Sequence, residues 1–148
     1  MIEIHQVIHV DELDAVAHLF DKYRIFYKQA SDIQKGRKFL QQLFQRDLSI
    51  VFCAKKNEEC VGFTQLFKTY SSVNLVPFLI LNDLFVIDEH RKQGVATTLL
   101  QSVKEFCKMN DFHGIYLETA IDNPAQKLYE KMHWKQTPNT LYYYWNVP

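Results

Sequence analysis

The segment from Phe85 to Ala96, Phe-Val-Ile-Asp-Glu-His-Arg-Lys-Gln-Gly-Val-Ala, carries the clearest chemistry in the chain. An apolar run ends there, a basic turn carrying Arg91, Lys92 and Gln93 follows, and Gly94 opens an amphipathic helix that begins Val95-Ala96. The first amides of a helix lack backbone partners and sit at the positive end of its dipole, so such a start suits phosphate. The plain alternative is a strand-to-helix loop with solvated basic residues, since one-glycine motifs recur by chance. Gly-x-Gly-x-x-Gly and Gly-Lys-Ser/Thr are both absent, which removes the dinucleotide and Walker A forms of phosphate loop. Asn123-Pro124 reads as a second helix start, and Tyr129 falls on that helix's inner face. Asp83 and Glu118 are carboxylates on neighbouring strands that could accept a proton.

The elements that must position these residues follow from periodicity. Ile2, Ile4, Val7 and Ile8 suggest a strand, and Asp11 is a candidate cap for a helix carrying Leu13, Val16, Ala17, Phe20 and Tyr23. Arg24–Lys28 reads as an aromatic, basic connection, and Ser31-Asp-Ile-Gln34 as a capping box for a second helix. Ser49–Ala54 and Cys60–Tyr70 form a predicted hairpin, and Val76–Ile87 a central strand buried on both faces. The helix after Gly94, a strand at Ile115–Thr119, the Asn123 helix and two tail strands at Trp134–Gln136 and Leu141–Trp145 complete the list. The order β-α-α-β-β-β-α-β-α-β-β predicts one α/β domain over residues 1–148 with a mixed sheet.

Composition narrows the classes. Lys plus Arg balances Asp plus Glu, which argues against broad capture of nucleic acid or an anionic membrane. No stretch approaches the roughly 20 apolar residues of a membrane span, and the N-terminus lacks a signal-peptide pattern, so a cytoplasmic location is the default. Cys53, Cys60 and Cys107 have no tight pairing, which favours reduced thiols, and no Cys/His cluster suggests a metal. None has an adjacent histidine, so a cysteine nucleophile is not expected.

Arg91-x-x-Gly94-x-Ala96 is similar to the pyrophosphate turn of the GNAT superfamily of acetyl-CoA-dependent N-acetyltransferases. Asn123-Pro-Ala-Gln-Lys-Leu-Tyr129 resembles that family's Asn-x-x-Ala-x-x-Leu-Tyr segment, with Ala125 one place early. The resemblance implies a GNAT-like sheet and acetyl-CoA as co-substrate, with no metal. It also implies that Arg91 to Ala96 hold phosphate, that Asn123 bonds the cofactor arm and that Tyr129 protonates the departing thiolate. Backbone N–H groups near Phe85 and Val86 are placed to hold the oxyanion of direct acyl transfer in a ternary complex. Asn82 stands where many members carry a basic glutamate, which leaves Asp83 and Glu118 as candidates. Strand alternation would send Asn82 and Asp83 to opposite faces, turning Asp83 from the acceptor. His133-Trp134 replaces the family's Gly-Phe, so the Tyr129 helix ends without its expected glycine. Asp21–Tyr27 resembles a Tyr-x-x-Phe-Tyr element of a histone/polyamine acetyltransferase-like subgroup, where it borders the acceptor. That subgroup often forms dimers, which implies a homodimer here.

The expected acceptor is a primary amine of a small molecule or a lysine-like side chain, and acidic residues Asp83, Glu118 and Asp122 lean towards a cation. Two other readings stand beside this one. One is a non-catalytic acyl-CoA-binding regulatory module. The other is a ligand-free dimerisation domain, suggested by the aromatic tail.

Overall fold

The computed structural model describes all residues from Met1 to Pro148. They form two compact units, Met1–Glu118 and Thr119–Pro148. The first holds β1 (Glu3–Gln6), α1 (Leu13–Phe26), α2 (Ile33–Gln45), β2 (Ser49–Lys56), β3 (Glu59–Ser71), β4 (Val76–Val86), α3 (Val95–Met109) and β5 (Ile115–Tyr116). The second holds α4 (Ala125–Lys131). The five strands lie in chain order, antiparallel except for the parallel β4–β5 pair that α3 connects.

The strand period divides the helices between the two faces of this sheet. Phe63 meets Phe20 and Tyr23 of α1, whereas its neighbour Gly62 backs onto Val95 of α3. Phe52, opposite Thr64, stacks edge-on with Phe106 of α3. Thus α1 covers the face of Phe63 and Phe85, and α3 covers the other. Leu13, Val16, Leu40, Leu66, Leu79, Leu99, Leu100 and Val103 are fully buried and make the two apolar layers. A Cβ at Gly62 would stand 3.1 Å from Phe85 O and from Val95, so glycine lets α3 settle close to the sheet.

The order of elements matches the sequence reading through α4, with local corrections. α1 continues through Arg24-Ile-Phe26, which read as a connection. The carboxylate of Glu12, not Asp11, accepts from the Ile8 and His9 amides before α1. Asp32, one residue after the expected Ser31, caps α2 by accepting from Lys35 N. Ser31 is instead drawn to buried Asp21, which also accepts from Asp32 N. β5 is only two residues long, and residues 132–148 contain no strand. Leu141-Tyr-Tyr-Tyr-Trp145 is exposed; three like aromatics in succession have no period of two with which to select a face.

Cys53 and Cys60 are disulfide-bonded, which corrects the expectation of three reduced thiols. Asn57 and Glu58 both take positive φ in a two-residue turn that closes the β2–β3 hairpin. A register shift beside Ala54 then pairs Cys60 with Lys55, so the cysteines become diagonal neighbours with Cα atoms 6.1 Å apart, a bridgeable distance. Cys107 remains a free, buried thiol, pushed above its ordinary pKa by desolvation.

All four α-helices end alike, with a non-glycine residue in the left-handed region. Lys28, Asp47, Asp111 and His133 have φ of 64°, 54°, 59° and 67°. Each helix closes with paired return bonds, as in Gln29 N to Arg24 O with Lys28 N to Ile25 O, and Trp134 N to Tyr129 O with His133 N to Glu130 O. A side chain in that conformation costs about 1 kcal/mol, less for Asp, which tolerates it better. Lys28→Gly is therefore expected to raise the melting temperature by about 2–4 °C and Asp111→Gly by about half as much, measured by calorimetry.

Candidate active site

β4 carries one residue more than β3 where the two cross the middle of the sheet. Gln65 pairs with Asp83 and Leu66 with Leu81, so Asn82 is the extra residue of a bulge. The freed carbonyl of Asn82 accepts from the Tyr23 hydroxyl at 3.3 Å. Its side-chain amide donates to Asp83 Oδ1 at 3.0 Å. Asn82 and Asp83 therefore line the same cavity. The bulge overturns the alternation argument that turned Asp83 away.

Asp83 is 3% exposed and also accepts from Gln65 Nε2. Desolvation by burial raises its pKa above the ordinary carboxylate value, opposed by hydrogen bonds from Gln65, Tyr23 and Asn82. The cavity it faces has a volume of about 740 Å³ and is walled by α1, the α1–α2 connection, α2, β3 and β4. Tyr23 and Tyr27, which the sequence singled out, both line it. Glu118 does not: it lies exposed two residues beyond β5.

On the far edge of β4, β5 reaches only Leu79 and Ile80. The β3 side continues past the strand's end, with Ile87 N–H donating to Val61 O. By two-residue alternation, Phe85 also turns its backbone groups to β3, whereas those of Leu84 and Val86 face the uncovered edge. Of the pair proposed as oxyanion donors, Val86 thus has the outward amide and Phe85 does not.

The turn after β4 is braced from within. Arg91 donates from Nε to Val86 O at 2.9 Å, pairs with Asp88 at 2.9 Å, and lies over the Phe85 and Phe26 rings at 5.5 and 5.9 Å. These contacts brace the turn. Gln93 donates to Glu89 O and accepts from Lys56 Nζ at 3.2 Å, which brings in a lysine from the β2–β3 hairpin. Lys92 is exposed at φ 60°. Gly94 stands at φ 83° with open space where a Cβ would be. No side chain caps α3, and its first backbone return bond is Thr98 N to Gly94 O, so the amides of Val95, Ala96 and Thr97 are left for an external acceptor. This bare start, unlike the Asp32-capped start of α2, has the form of an anion cradle.

In the second unit, Asn123 Oδ1 accepts from Ala125 N at 2.9 Å and starts α4, leaving its Nδ2 without a protein partner. Tyr129 is half-buried, with its ring 5.9 Å from that of Trp134. No group of His, Cys, Asp or Glu side chains gathers in a metal-binding arrangement, and no helix is long and apolar enough to cross a membrane.

Comparison with known proteins identifies the family. The model of the Acetyltransferase (GNAT) family matches residues 13–134. The chain is 38% identical over 135 residues to the uncharacterized N-acetyltransferase YhfO of Bacillus subtilis (strain 168), covering 90% of this chain and 91% of that one. It is 26% identical over 131 residues to a probable acetyltransferase of Haemophilus influenzae, covering 80% and 90%. A crystal structure of a probable acetyltransferase superposes with a TM-score of 0.91 at 35% identity, over 99% of this chain and 98% of that one. The chain belongs to the GNAT acetyltransferase family, with its α/β fold, mixed five-stranded sheet and four helices.

Gln65, Lys56 and the Asn82 bulge escaped the sequence reading. For Gln65 a signal existed: a lone amide in the otherwise apolar centre of β3, Val61-Gly-Phe-Thr-Gln-Leu-Phe67. Asp83 also sets a stability test. Its raised pKa means the fold binds its proton more tightly than the unfolded chain does. That contribution is present at low pH and is lost as pH rises from about 3.9, the unfolded value, through the raised folded value. Asp83→Asn is therefore expected to melt at a higher temperature than the native protein at pH 7, with the difference shrinking towards pH 4 in calorimetric scans.

Proposed function

We propose that this protein is an N-acetyltransferase that moves an acetyl group from acetyl-CoA to a primary amine in a ternary complex. The observation that carries the reading is the desolvated Asp83 carboxyl at the floor of a cavity, on the strand whose next turn opens an uncapped helix. The free α3 amides, Gly94 and the nearby Lys56 and Lys92 fit a diphosphate, and the outward N–H groups of Leu84 and Val86 with the Leu84 carbonyl fit an amide-bearing arm, the Val86 carbonyl being held by Arg91. Acetyl-CoA, as co-substrate, supplies an activated acyl carbon.

An amine arrives protonated, with a pKa of about 10.4 when lysine-like, and must lose a proton before it attacks. Asp83, with its raised pKa, is the base we assign, since a stronger carboxylate base accepts that proton more readily. The amine nitrogen forms the new bond to the acyl carbon and then releases its second proton, which replaces the one Tyr129 gives up, and the carbon–sulfur bond breaks. Tyr129 gives its proton to the departing sulfur, and Asn123 bonds the arm through its side-chain amide; both roles rest on the family resemblance. Glu118 is left as a weaker candidate, being exposed and outside the cavity lining.

The family match crosses from the first compact unit into the second, which supports one acetyltransferase domain over residues 1–148. The exposed aromatics of Leu141–Trp145 support a homodimer through the tail. An acyl-CoA-binding regulator without turnover is the second reading, and the buried proton acceptor favours catalysis over it.

A thiol-release assay with acetyl-CoA and a panel of amines decides between them. Release above the amine-free background is expected. Asp83→Asn and Tyr129→Phe should each lower kcat by about 10²–10⁴-fold while coenzyme A affinity is kept. Gly94→Val, which forces a branched side chain into φ 83°, should weaken coenzyme A binding at least tenfold by calorimetry. Coenzyme A binding with no release on any amine would establish the regulator instead.

A further inference from the structure

The acceptor cavity is polarised along its depth. At its floor Gln65 is 1% exposed; Nε2 is engaged by Asp83, and Oε1 is buried without any hydrogen-bond partner. A buried amide oxygen left empty is costly, and a ligand N–H would satisfy it. The donation to Asp83 fixes the amide's orientation, which leaves Oε1 as the acceptor. The floor therefore offers an oxygen for an amine N–H beside a carboxyl that can take its proton.

One wall is aromatic: Phe20 of α1 stacks on Phe39 of α2 at 6.0 Å, and Tyr27, just past α1, also lines the cavity. The mouth is basic. Lys35 and Lys38, three residues apart on α2, and Arg24 of α1 all line the cavity, and none makes an ion pair. Arg24 meets only the carbonyl of Ala30. The acids closest in sequence are occupied elsewhere: Asp21 holds Ser31 and the Asp32 amide, and Asp32 caps α2. Of the charged residues that line the cavity, the only acid is the one at its floor. A polycation entering this mouth would meet like charge, and an anionic group would meet its complement.

We infer that the acceptor is a primary amine bearing a carboxylate or phosphate at its far end. Its nitrogen sits on Gln65 Oε1 beside Asp83, its apolar body lies against the aromatic wall, and its anion is held by Lys35, Lys38 and Arg24. The inference rests on the N-acetyltransferase reading and reverses the lean towards a cationic acceptor, because neither Glu118 nor Asp122 lines this cavity.

Four probes of related size test it: 4-(2-aminoethyl)benzoate, O-phosphotyramine, phenethylamine and spermidine. In thiol release, kcat/KM for the two anionic amines is expected to exceed that for the other two at least tenfold, mainly through KM. Lys35→Glu/Lys38→Glu should abolish that preference, and Lys35→Arg/Lys38→Arg should keep it, with coenzyme A affinity constant throughout. Gln65→Leu should raise KM for all amines alike, which marks the nitrogen end. Spermidine or phenethylamine turning over as well as the anionic probes, or an unchanged ratio in the charge-reversed variant, overturns the inference and leaves the acetyltransferase reading intact. If no amine is acetylated, calorimetry of the same probes, with and without coenzyme A, still decides. Selective binding of the anionic amines that is lost on charge reversal upholds the cavity's specificity; equal or absent binding overturns it.

Discussion

A carboxyl group withdrawn from water imposes the central constraint on this fold. Asp83 lies at the middle of the sheet, beneath α1, and desolvation works against its charge. Three neighbours moderate that penalty: the amides of Gln65 and Asn82 and the hydroxyl of Tyr23. Each comes from a different part of the backbone, so β3, β4 and α1 must all be in register before the carboxyl is supported. The aromatic packing around Tyr23, with Phe20, Phe63 and Phe85 at 5.9–6.2 Å, keeps α1 at the height where that hydroxyl reaches β4. Packing and the polar network thus serve one end.

The same strand serves a second end a few residues further on. Because β5 pairs with so little of β4, the lower half of β4 has a bare edge that leads into the Arg91 turn and the uncapped start of α3. Arg91 ties the turn back to Val86 and Asp88, which braces it from within. The buried carboxyl, the edge that β5 leaves unpaired and the uncapped start of α3 are consecutive along one stretch of backbone. Their spacing is therefore set by covalent geometry and strand rise rather than by loop packing.

Much of this was legible in the sequence. Helical spacing found α1 to α4, near-continuous apolar runs found the central strands, and the lone Gly94 after a basic turn marked the start of α3. What escaped was two-dimensional. A bulge is a mismatch between two strands, so no reading of β4 alone reveals that Asn82 is supernumerary or that Asp83 faces the cavity. The disulfide had the same cause, since only the hairpin register makes Cys53 and Cys60 neighbours. Lys56 reaches Gln93 across 37 positions, again through pairing. The tail failed for another reason: its aromatics promise burial but carry no alternation to direct it. Helix ends were hard to place because the usual glycine was missing.

That scarcity has a consequence of its own. Nine non-glycine residues adopt positive φ, while Gly94 is the only glycine that does. The chain tolerates side chains in left-handed turns wherever a helix merely has to stop, and its one left-handed glycine stands at the uncapped start of α3. Sturdiness and chemistry are consequently separable in this molecule. A terminus such as the one at Asp111 holds some unused thermal headroom, which protein engineers could draw on without touching β4.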